Sequence, residues 1–142
     1  MTQCPRCHLE VDDAPSSCAR CGLLLDPTEV AEAIRSFRGR VADHLALMGD
    51  FRAQLEYPVI GEWLCQWFDD LRFAEMEVRR EHVYARAFSE PEWEVLARFS
   101  ELFAQTKLFY PIEDLQATVQ WRRLAQAAVE TAKALFGESG KP

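Results

Sequence analysis

The stretch DPTEVAEAIRSFRGRVADHLALMGDFRAQL, residues 26–55, decides the fold class of this chain. It opens with Asp26-Pro27-Thr28-Glu29, which combines an N-cap acceptor, a proline at the first helical position and the glutamate of a capping box. Apolar residues then recur at steps of three and four, which predicts one long amphipathic helix. Its apolar positions are Val30, Ile34, Phe37, Val41, Leu45, Met48, Phe51 and Leu55. Gly39 and Gly49 are expected to weaken this helix without ending it, whereas Tyr57-Pro58 is expected to end it.

Three further helices are predicted downstream. The second runs from about residue 59 to 88, the third begins at a capping box formed by Ser89 and Glu92, and the fourth runs from about Ile112 to a C-cap at Gly137. Their expected core positions include Trp93, Leu96, Phe99, Leu102, Phe103, Phe109, Leu115, Val119, Ala125, Ala128, Val129, Ala132 and Leu135. The sequence therefore predicts a mainly α chain. Residues 26–137 would form an antiparallel bundle of about four helices, or of three helices of which one is long and bent. Residues 138–142 would form a disordered tail.

Four cysteines near the start form two C-x-x-C pairs, Cys4-Pro5-Arg6-Cys7 and Cys18-Ala19-Arg20-Cys21. Each pair can place two sulfurs on the same side of a tight turn, and four thiolates satisfy tetrahedral zinc. Gly22 after the second pair suits a positive φ, and His8 takes the same place after the first pair. The spacing predicts one structural Zn²⁺ held by Cys4, Cys7, Cys18 and Cys21. With four thiolates the site is closed to water and substrate, so no catalysis is expected at this metal.

The motif CPRC-x10-CARCG resembles the zinc-ribbon family of short N-terminal modules in prokaryotic proteins, which have rubredoxin-like knuckles. The resemblance covers about residues 2–25, which predicts a ribbon domain at 1–25, and the helical remainder resembles no family. A disulfide framework is disfavoured because no secretory segment is expected and a fifth cysteine, Cys65, stands alone. A thioredoxin-type redox pair would need a βαβ context. Iron in place of zinc stays open at this stage.

The charge pattern narrows the class of partner. A formal net charge of −7 argues against nucleic-acid binding driven by phosphate neutralisation. No apolar run approaches the roughly 20 residues that span a bilayer, so a soluble, cytoplasmic protein without a membrane partner is expected. Arginine outnumbers lysine thirteen to three, which is typical of a GC-rich bacterial genome.

The sequence predicts no enzyme. It contains neither a phosphate-binding glycine loop nor a nucleophile elbow. His44 and His82 lack the Glu-x-x-His spacing of a carboxylate metal centre and are expected at the surface or its boundary. Cys65, next to Leu64 and near Trp67, is expected to be a buried small hydrophobe.

The sequence favours a non-enzymatic zinc-binding adaptor or regulator that binds another protein through its ribbon and its bundle. Its candidate partner-binding residues are Arg6, Arg20, Trp63, Trp67 and Trp93, with the tryptophans acting as aromatic anchors only if they are exposed. Core packing is the simpler explanation of the aromatic cluster at 63–68, and charge compensation of the zinc thiolates is the simpler role of the two arginines. The alternative is a transcription or translation regulator that contacts phosphates through Arg6, Arg20, Arg35, Arg38 and Arg40. A homodimer is a third possibility.

Overall fold

The computed structural model describes residues 2–4, 8, 10–11, 26–70 and 86–137, and within these ranges the chain is mainly helical. Two short strands come first, β1 (Thr2–Gln3) and β2 (Glu10–Val11). The helices are α1 (Pro27–Met48), α2 (Phe51–Glu56), α3 (Ile60–Cys65), α4 (Glu90–Gln105), α5 (Ile112–Gln116) and α6 (Val119–Phe136). A π-helical turn, Gln66–Asp70, continues α3.

The two predicted helix starts are confirmed. Asp26 caps α1, and its Oδ1 accepts from the backbone N–H groups of Thr28 and Glu29, both at 3.0 Å. At α4, the Ser89 hydroxyl accepts from the Glu92 backbone N–H while the Glu92 carboxylate accepts from the Ser89 N–H. These reciprocal bonds satisfy helix donors that otherwise lack a partner.

The long first helix is shorter than predicted, because α1 ends at Met48 instead of passing through Gly49. The Gly49 N–H still bonds to the Leu45 carbonyl, but Asp50 then caps a separate helix by accepting from Arg52 and Ala53. A Cβ on Gly49 would lie 2.8 Å from Val129 Cγ2, so α1 ends at a position where α6 lies close to it. The predicted end at Tyr57-Pro58 is confirmed as the end of α2.

The last predicted helix is also divided. Helix α5 ends at Gln116, and Thr118 caps α6 by accepting from the Trp121 N–H at 3.2 Å. The Thr118 hydroxyl also donates to the Leu115 carbonyl at 2.7 Å, which closes the turn between the two helices. The C-cap at Gly137, with φ of 79°, is as predicted.

The directions of the long helices follow from which residues meet. Gly49 lies against Val129, whereas Arg38 lies over the ring of Phe136, so α6 runs antiparallel to α1. Phe37 packs on Trp93 and His44 on Phe103, so α4 runs in the same direction as α1. The C-terminal ends of α1 and α4 therefore share one end of the helical domain with the start of α6.

One continuous core joins these helices. Its fully buried side chains include Phe37, Val41, Leu45, Met48, Trp63, Trp67, Leu96, Phe103, Leu115, Trp121 and Leu124. Aromatic rings meet edge-on within it, as Trp67 and Phe99 do at 5.1 Å between ring centroids, an arrangement that adds to the burial energy. In the described part of the chain, no helix is long and apolar enough to pass through a lipid bilayer.

A buried amide, Gln54, ties four helices together. Its Nε2 donates to the carbonyls of Leu47 and Met48 in the last turn of α1, at 3.0 and 2.9 Å. Its Oε1 accepts from Trp121 Nε1 at 2.9 Å and from Gln116 Nε2 at 3.1 Å. Gln54 thus makes the full set of four hydrogen bonds of an amide while completely buried.

Candidate interaction surface and metal centre

The N-terminal residues that the structure describes have the geometry of a turn between two strands. Gln3 pairs with Glu10 in the antiparallel ladder of β1 and β2. Cys4 follows β1 directly and is fully buried, and its carbonyl accepts from the His8 N–H at 2.9 Å. His8 has φ of 63°, the left-handed conformation expected of the residue after the first cysteine pair. The described residues thus place Cys4 at the end of β1, with its carbonyl bonded to the His8 N–H.

Most of the predicted metal site lies outside the described residues. Cys7, Cys18 and Cys21 are among those that the structure leaves out, as are Arg6 and Arg20 of the two knuckles and His82. Among the residues that are described, no three His, Cys, Asp or Glu side chains come together as metal ligands. Of the predicted ligands, only Cys4 can be placed.

The three tryptophans predicted as partner anchors belong to the core. Trp63 and Trp67 are 0% exposed and Trp93 is 7% exposed. Trp63 stacks on Trp121 with ring centroids 6.0 Å apart, and Trp67 Nε1 donates to Ser100 Oγ at 2.8 Å. The prediction that they anchor a partner is corrected, because their indoles fill the space between the helices and leave no exposed ring.

His44 also lies in the core, contrary to the surface position expected for it. Its Nε2 bonds to the Trp63 carbonyl at 2.8 Å, and its ring centroid lies 5.1 Å from that of Trp67. Burial lowers the pKa of His44 below its ordinary value, and the hydrogen bond to Trp63 opposes part of that effect. Since a neutral ring donates through Nε2, Nδ1 is left as a buried acceptor with no hydrogen-bond partner among the described residues.

The exposed large apolar side chains of the described residues gather at one end of the helical domain. They are Leu55, Tyr57, Phe109, Tyr110 and Val119, which we call the apolar end surface. Tyr110 and Val119 are the most exposed, at 62% and 65%. Leu55, Phe109 and Val119 were expected in the core, and the structure corrects this: each lies at or near a helix end and is exposed. Large apolar side chains that are exposed near one another are typical of a binding site.

Two Tyr-Pro segments, separated by about fifty residues, meet at this surface. Tyr110 Oη accepts from the Ile60 N–H at 3.1 Å and donates to the Pro58 carbonyl at 3.4 Å. Tyr57 donates its hydroxyl proton to the Glu62 carboxylate, and this bond raises the pKa of Tyr57. Hydrogen bonds therefore hold both phenol rings in place while their faces remain accessible.

The apolar end surface was missed by sequence reasoning, although a signal was present. Every member is within three residues of a proline or of a helix end, positions where periodicity no longer assigns a side chain to the core face. The two tyrosines each precede a proline, and the repeated Tyr-Pro pattern marks the segments that come together.

Two of the three first-helix arginines of the nucleic-acid alternative lie close to aromatic rings. Arg38 Nη1 donates to the Ala87 carbonyl at 2.7 Å, and its guanidinium lies over the rings of Phe88 and Phe136, 4.8 and 5.2 Å from their centroids. Arg40 lies 6.0 Å from the Phe37 ring. Arg38 thus links α1 to the segment before α4 and to the end of α6.

Two shallow grooves accompany the helices. One of about 290 Å³ is lined by Leu64, Cys65, Phe68 and Ala104. Cys65 is exposed there, which corrects its expected burial: α3 directs its neighbours Trp63 and Trp67 inward and leaves Cys65 on the outer side. The other groove, of about 320 Å³, lies between α4 and α6 and is bordered by Arg98 and Glu130.

No family model, curated protein or solved structure matches this chain. Its function has to be argued from the chemistry of its own residues. Two features carry that argument: the buried turn at Cys4 and the apolar end surface.

Proposed function

We propose that this chain is a cytoplasmic zinc-binding adaptor that recognises another protein and catalyses no reaction. In this proposal, residues 1–25 form a zinc ribbon in which Cys4, Cys7, Cys18 and Cys21 hold one Zn²⁺. Residues 26–137 form an antiparallel helical bundle that presents a binding surface. The metal fixes the shape of the ribbon, since four thiolates leave no coordination position for substrate.

The observation that carries the adaptor proposal is the apolar end surface. Exposed aromatic and aliphatic side chains cost free energy in water and gain it when a partner covers them, at about 25 cal/mol per Å². Aromatic residues are also enriched among the side chains that dominate binding energy at protein interfaces. In this chain the tryptophans are buried. The anchoring role that the sequence suggested for the tryptophans therefore passes to Tyr57, Phe109 and Tyr110.

The zinc proposal is supported by the local geometry of Cys4. A thiol that is fully buried in a turn closed by the His8 N–H, with His8 in the left-handed conformation, fits the first knuckle of a ribbon. A C-x-x-C pair needs this kind of tight turn to direct both sulfurs at one metal.

The distance between the apolar end surface and the point where residues 1–25 join the helical domain suits an adaptor. The chain enters the helical domain at Asp26, and the apolar end surface lies beyond the opposite end of α1. Twenty-two residues of helix span about 33 Å at 1.5 Å each. A partner bound at the end surface is therefore well removed from the point where the ribbon joins the helical domain.

Metal analysis of the full chain tests the zinc part of the proposal. We expect one zinc per chain after purification without added metal, and a loss of most of it in Cys4→Ser. Cys65→Ser is the matched control, because Cys65 is an exposed thiol of α3 and should leave the zinc content unchanged. A chain that lacks zinc, or holds iron in its place, would contradict the zinc assignment.

Affinity purification of the tagged full chain from its native cells tests the adaptor part. We expect a stoichiometric protein partner that survives nuclease treatment and moderate salt, because binding through apolar contacts depends little on ionic strength. Recovery of nucleic acid, released steeply between low and moderate salt, would instead favour the phosphate-binding alternative.

A further inference from the structure

The groove between α4 and α6 has an apolar floor and opposite charges on its two sides. Its volume is about 320 Å³. Arg98 borders it on α4 and Glu130 borders it on α6, and both side chains are exposed. The other lining residues are apolar apart from one threonine: Val95, Phe99, Leu102, Ala127, Thr131 and Ala134.

Among the described residues, the polar groups of this groove make few contacts with one another. Arg98 and Glu130 form no ion pair in that part of the chain, although they border the same groove. Glu130 accepts from Gln126 Nε2 at 3.2 Å, which is a contact within α6. Thr131 is 7% exposed, and its hydroxyl has no hydrogen-bond partner in the described ranges. A guanidinium, a carboxylate and a hydroxyl are therefore available to a binding partner.

The exposed polar residues beside the groove form two rows of complementary charge. Helices α4 and α6 run antiparallel, since α4 runs in the direction of α1 and α6 runs against it. Residues one helical turn apart lie on the same side of a helix, so each row can be read from the sequence. From one end of the groove to the other, the rows are Glu94, Arg98 and Glu101 on α4 and Lys133, Glu130, Gln126 and Arg123 on α6.

We infer that the groove between α4 and α6 is the interface of a homodimer, in which α4 of each chain lies over α6 of the other. The two-fold axis runs along the groove, parallel to both helices. Such an axis places each row against the other, so that Arg98 of one chain meets Glu130 of the second chain and Glu94 meets Lys133. Each of these attractions occurs twice. The inference goes beyond the adaptor function and does not depend on it.

The charge pattern favours a second copy over a partner of a single charge sign. A basic segment would be attracted by Glu130 but repelled by Arg98 and Lys133. An acidic segment or a nucleic acid would be attracted by the two cations but repelled by Glu130. A second copy supplies both signs at matching positions, because the symmetry axis exchanges the rows.

The size of this face predicts a weak dimer. The 16 residues of α4 span about 24 Å. Two helices packed side by side are about 20 Å wide. The face therefore offers roughly 500 Å² per chain, or about 1,000 Å² in total, which is near the lower limit for specific interfaces. We expect a dissociation constant in the micromolar range and a monomer in dilute solution.

Sedimentation equilibrium of the full chain, purified with zinc and kept at physiological salt, tests this inference. We expect the average mass to rise from one chain towards two between about 1 and 500 μM. Arg98→Glu and Glu130→Arg should each weaken the dimer about tenfold or more, because two attractions become repulsions. The double variant Arg98→Glu/Glu130→Arg should restore the dissociation constant to within about threefold, since the exchanged charges attract again.

The two reversals change the net charge of the chain in opposite directions, so a weaker dimer in both variants cannot come from overall repulsion. Arg35→Glu and Glu32→Arg are the matched controls, at exposed positions of α1 that do not line the groove. Each should alter the dissociation constant by less than about threefold, since distant surface charges are screened. Ala134→Gln keeps the charge but obstructs the groove, so it should weaken the dimer and provides a second readout if a reversal fails to fold. Circular dichroism shows that each variant keeps its helices.

The inference is overturned if the unchanged chain stays monomeric up to about 500 μM, where an interface of this size should form. It is also overturned if the dimer persists in both single reversals, or if the double variant is no tighter than the single ones. Loss of the dimer in Tyr110→Ser, with no effect of the groove variants, would place the contact at the apolar end surface and would equally overturn it.

Discussion

At the scale of single residues, the buried His44 makes stability depend on pH. Its native pKa is lowered by burial, whereas an unfolded histidine titrates near the ordinary value of 6.5. The unfolded chain therefore binds a proton more readily than the native one, and stability falls as the pH drops below about 6.5 until native His44 titrates. Above that pH the neutral ring is present in both states and the full stability is retained.

The expected outcome is a free energy of unfolding that decreases between roughly pH 7 and pH 5, measured by urea denaturation with tryptophan fluorescence. His44→Gln should flatten this decrease, since glutamine does not titrate. His82→Gln keeps His44 and serves as the control. Its free energy of unfolding should decrease with falling pH as that of the unchanged chain does. If the unfolding free energy of His44→Gln fell with pH as steeply as that of the unchanged chain, another group would be responsible for the pH dependence.

Gln54 offers a second test at this scale, because a single amide satisfies four buried groups. Gln54→Leu keeps the approximate volume but leaves Trp121 Nε1 and the carbonyls of Leu47 and Met48 without this partner. We expect a loss of about 2–4 kcal/mol in unfolding free energy. Gln126→Leu, at an exposed site on α6, is the matched control and should stay within about 0.5 kcal/mol. A similarly small change for Gln54→Leu would mean that water replaces the amide.

At the scale of elements, the glycines of the predicted first helix have opposite roles. Gly49→Ala would bring a methyl group to 2.8 Å from Val129 Cγ2 of α6. We expect it to lower stability by about 1–3 kcal/mol through overpacking. Gly39→Ala is the natural comparison, since no atom lies within 4 Å of the new Cβ, and it should raise stability by about 0.5–1 kcal/mol. Thermal denaturation of both variants measures the difference in stability. An increase in stability for both variants would contradict the close approach at Gly49.

The helix starts could be predicted from sequence, but two of the helix breaks could not. Asp26 and Ser89 act through neighbouring backbone groups, so the signal lies within a few residues. The breaks at Gly49 and Thr118 also carry local signals, a Gly-Asp pair and a threonine cap, yet the apolar periodicity continues across both. Both breaks coincide with long-range contacts that periodicity does not encode: Val129 lies close to Gly49, and Gln116 bonds to Gln54.

At the scale of the whole molecule, the core cluster of the described residues is formed by the helical part of the chain. Every member of the core cluster lies between Phe37 and Leu135, beyond residues 1–25. We expect that removing zinc with a chelator leaves the helical circular dichroism signal in place and shifts the main thermal transition by less than about 3 °C. The Cys4→Ser variant in the presence of zinc should behave in the same way. Loss of the helical signal on chelation would show that the ribbon is required for the bundle to fold.

The overall class could be predicted from the sequence, whereas the binding surface required the structure. Spacing of apolar residues is enough to predict a mainly helical chain, and the cysteine spacing is enough to propose a metal site. Which aromatic residues stay exposed depends on how helices far apart in sequence cover one another. Trp63 and Phe109 are both large and apolar, but Trp63 stacks on Trp121, while Phe109 lies in the connection between α4 and α5 and stays exposed.

The joining of the two Tyr-Pro segments has a consequence for how the protein persists in the cell. Because the Tyr110 hydroxyl contacts Ile60 across fifty positions of sequence, the end surface exists only in the folded chain. A ligand that binds only the native state adds its binding free energy to stability, by about 2.7 kcal/mol at a hundredfold excess over its dissociation constant. Copies without a partner are then more often open to proteolysis, so the steady-state amount of this protein would follow the supply of whatever it binds.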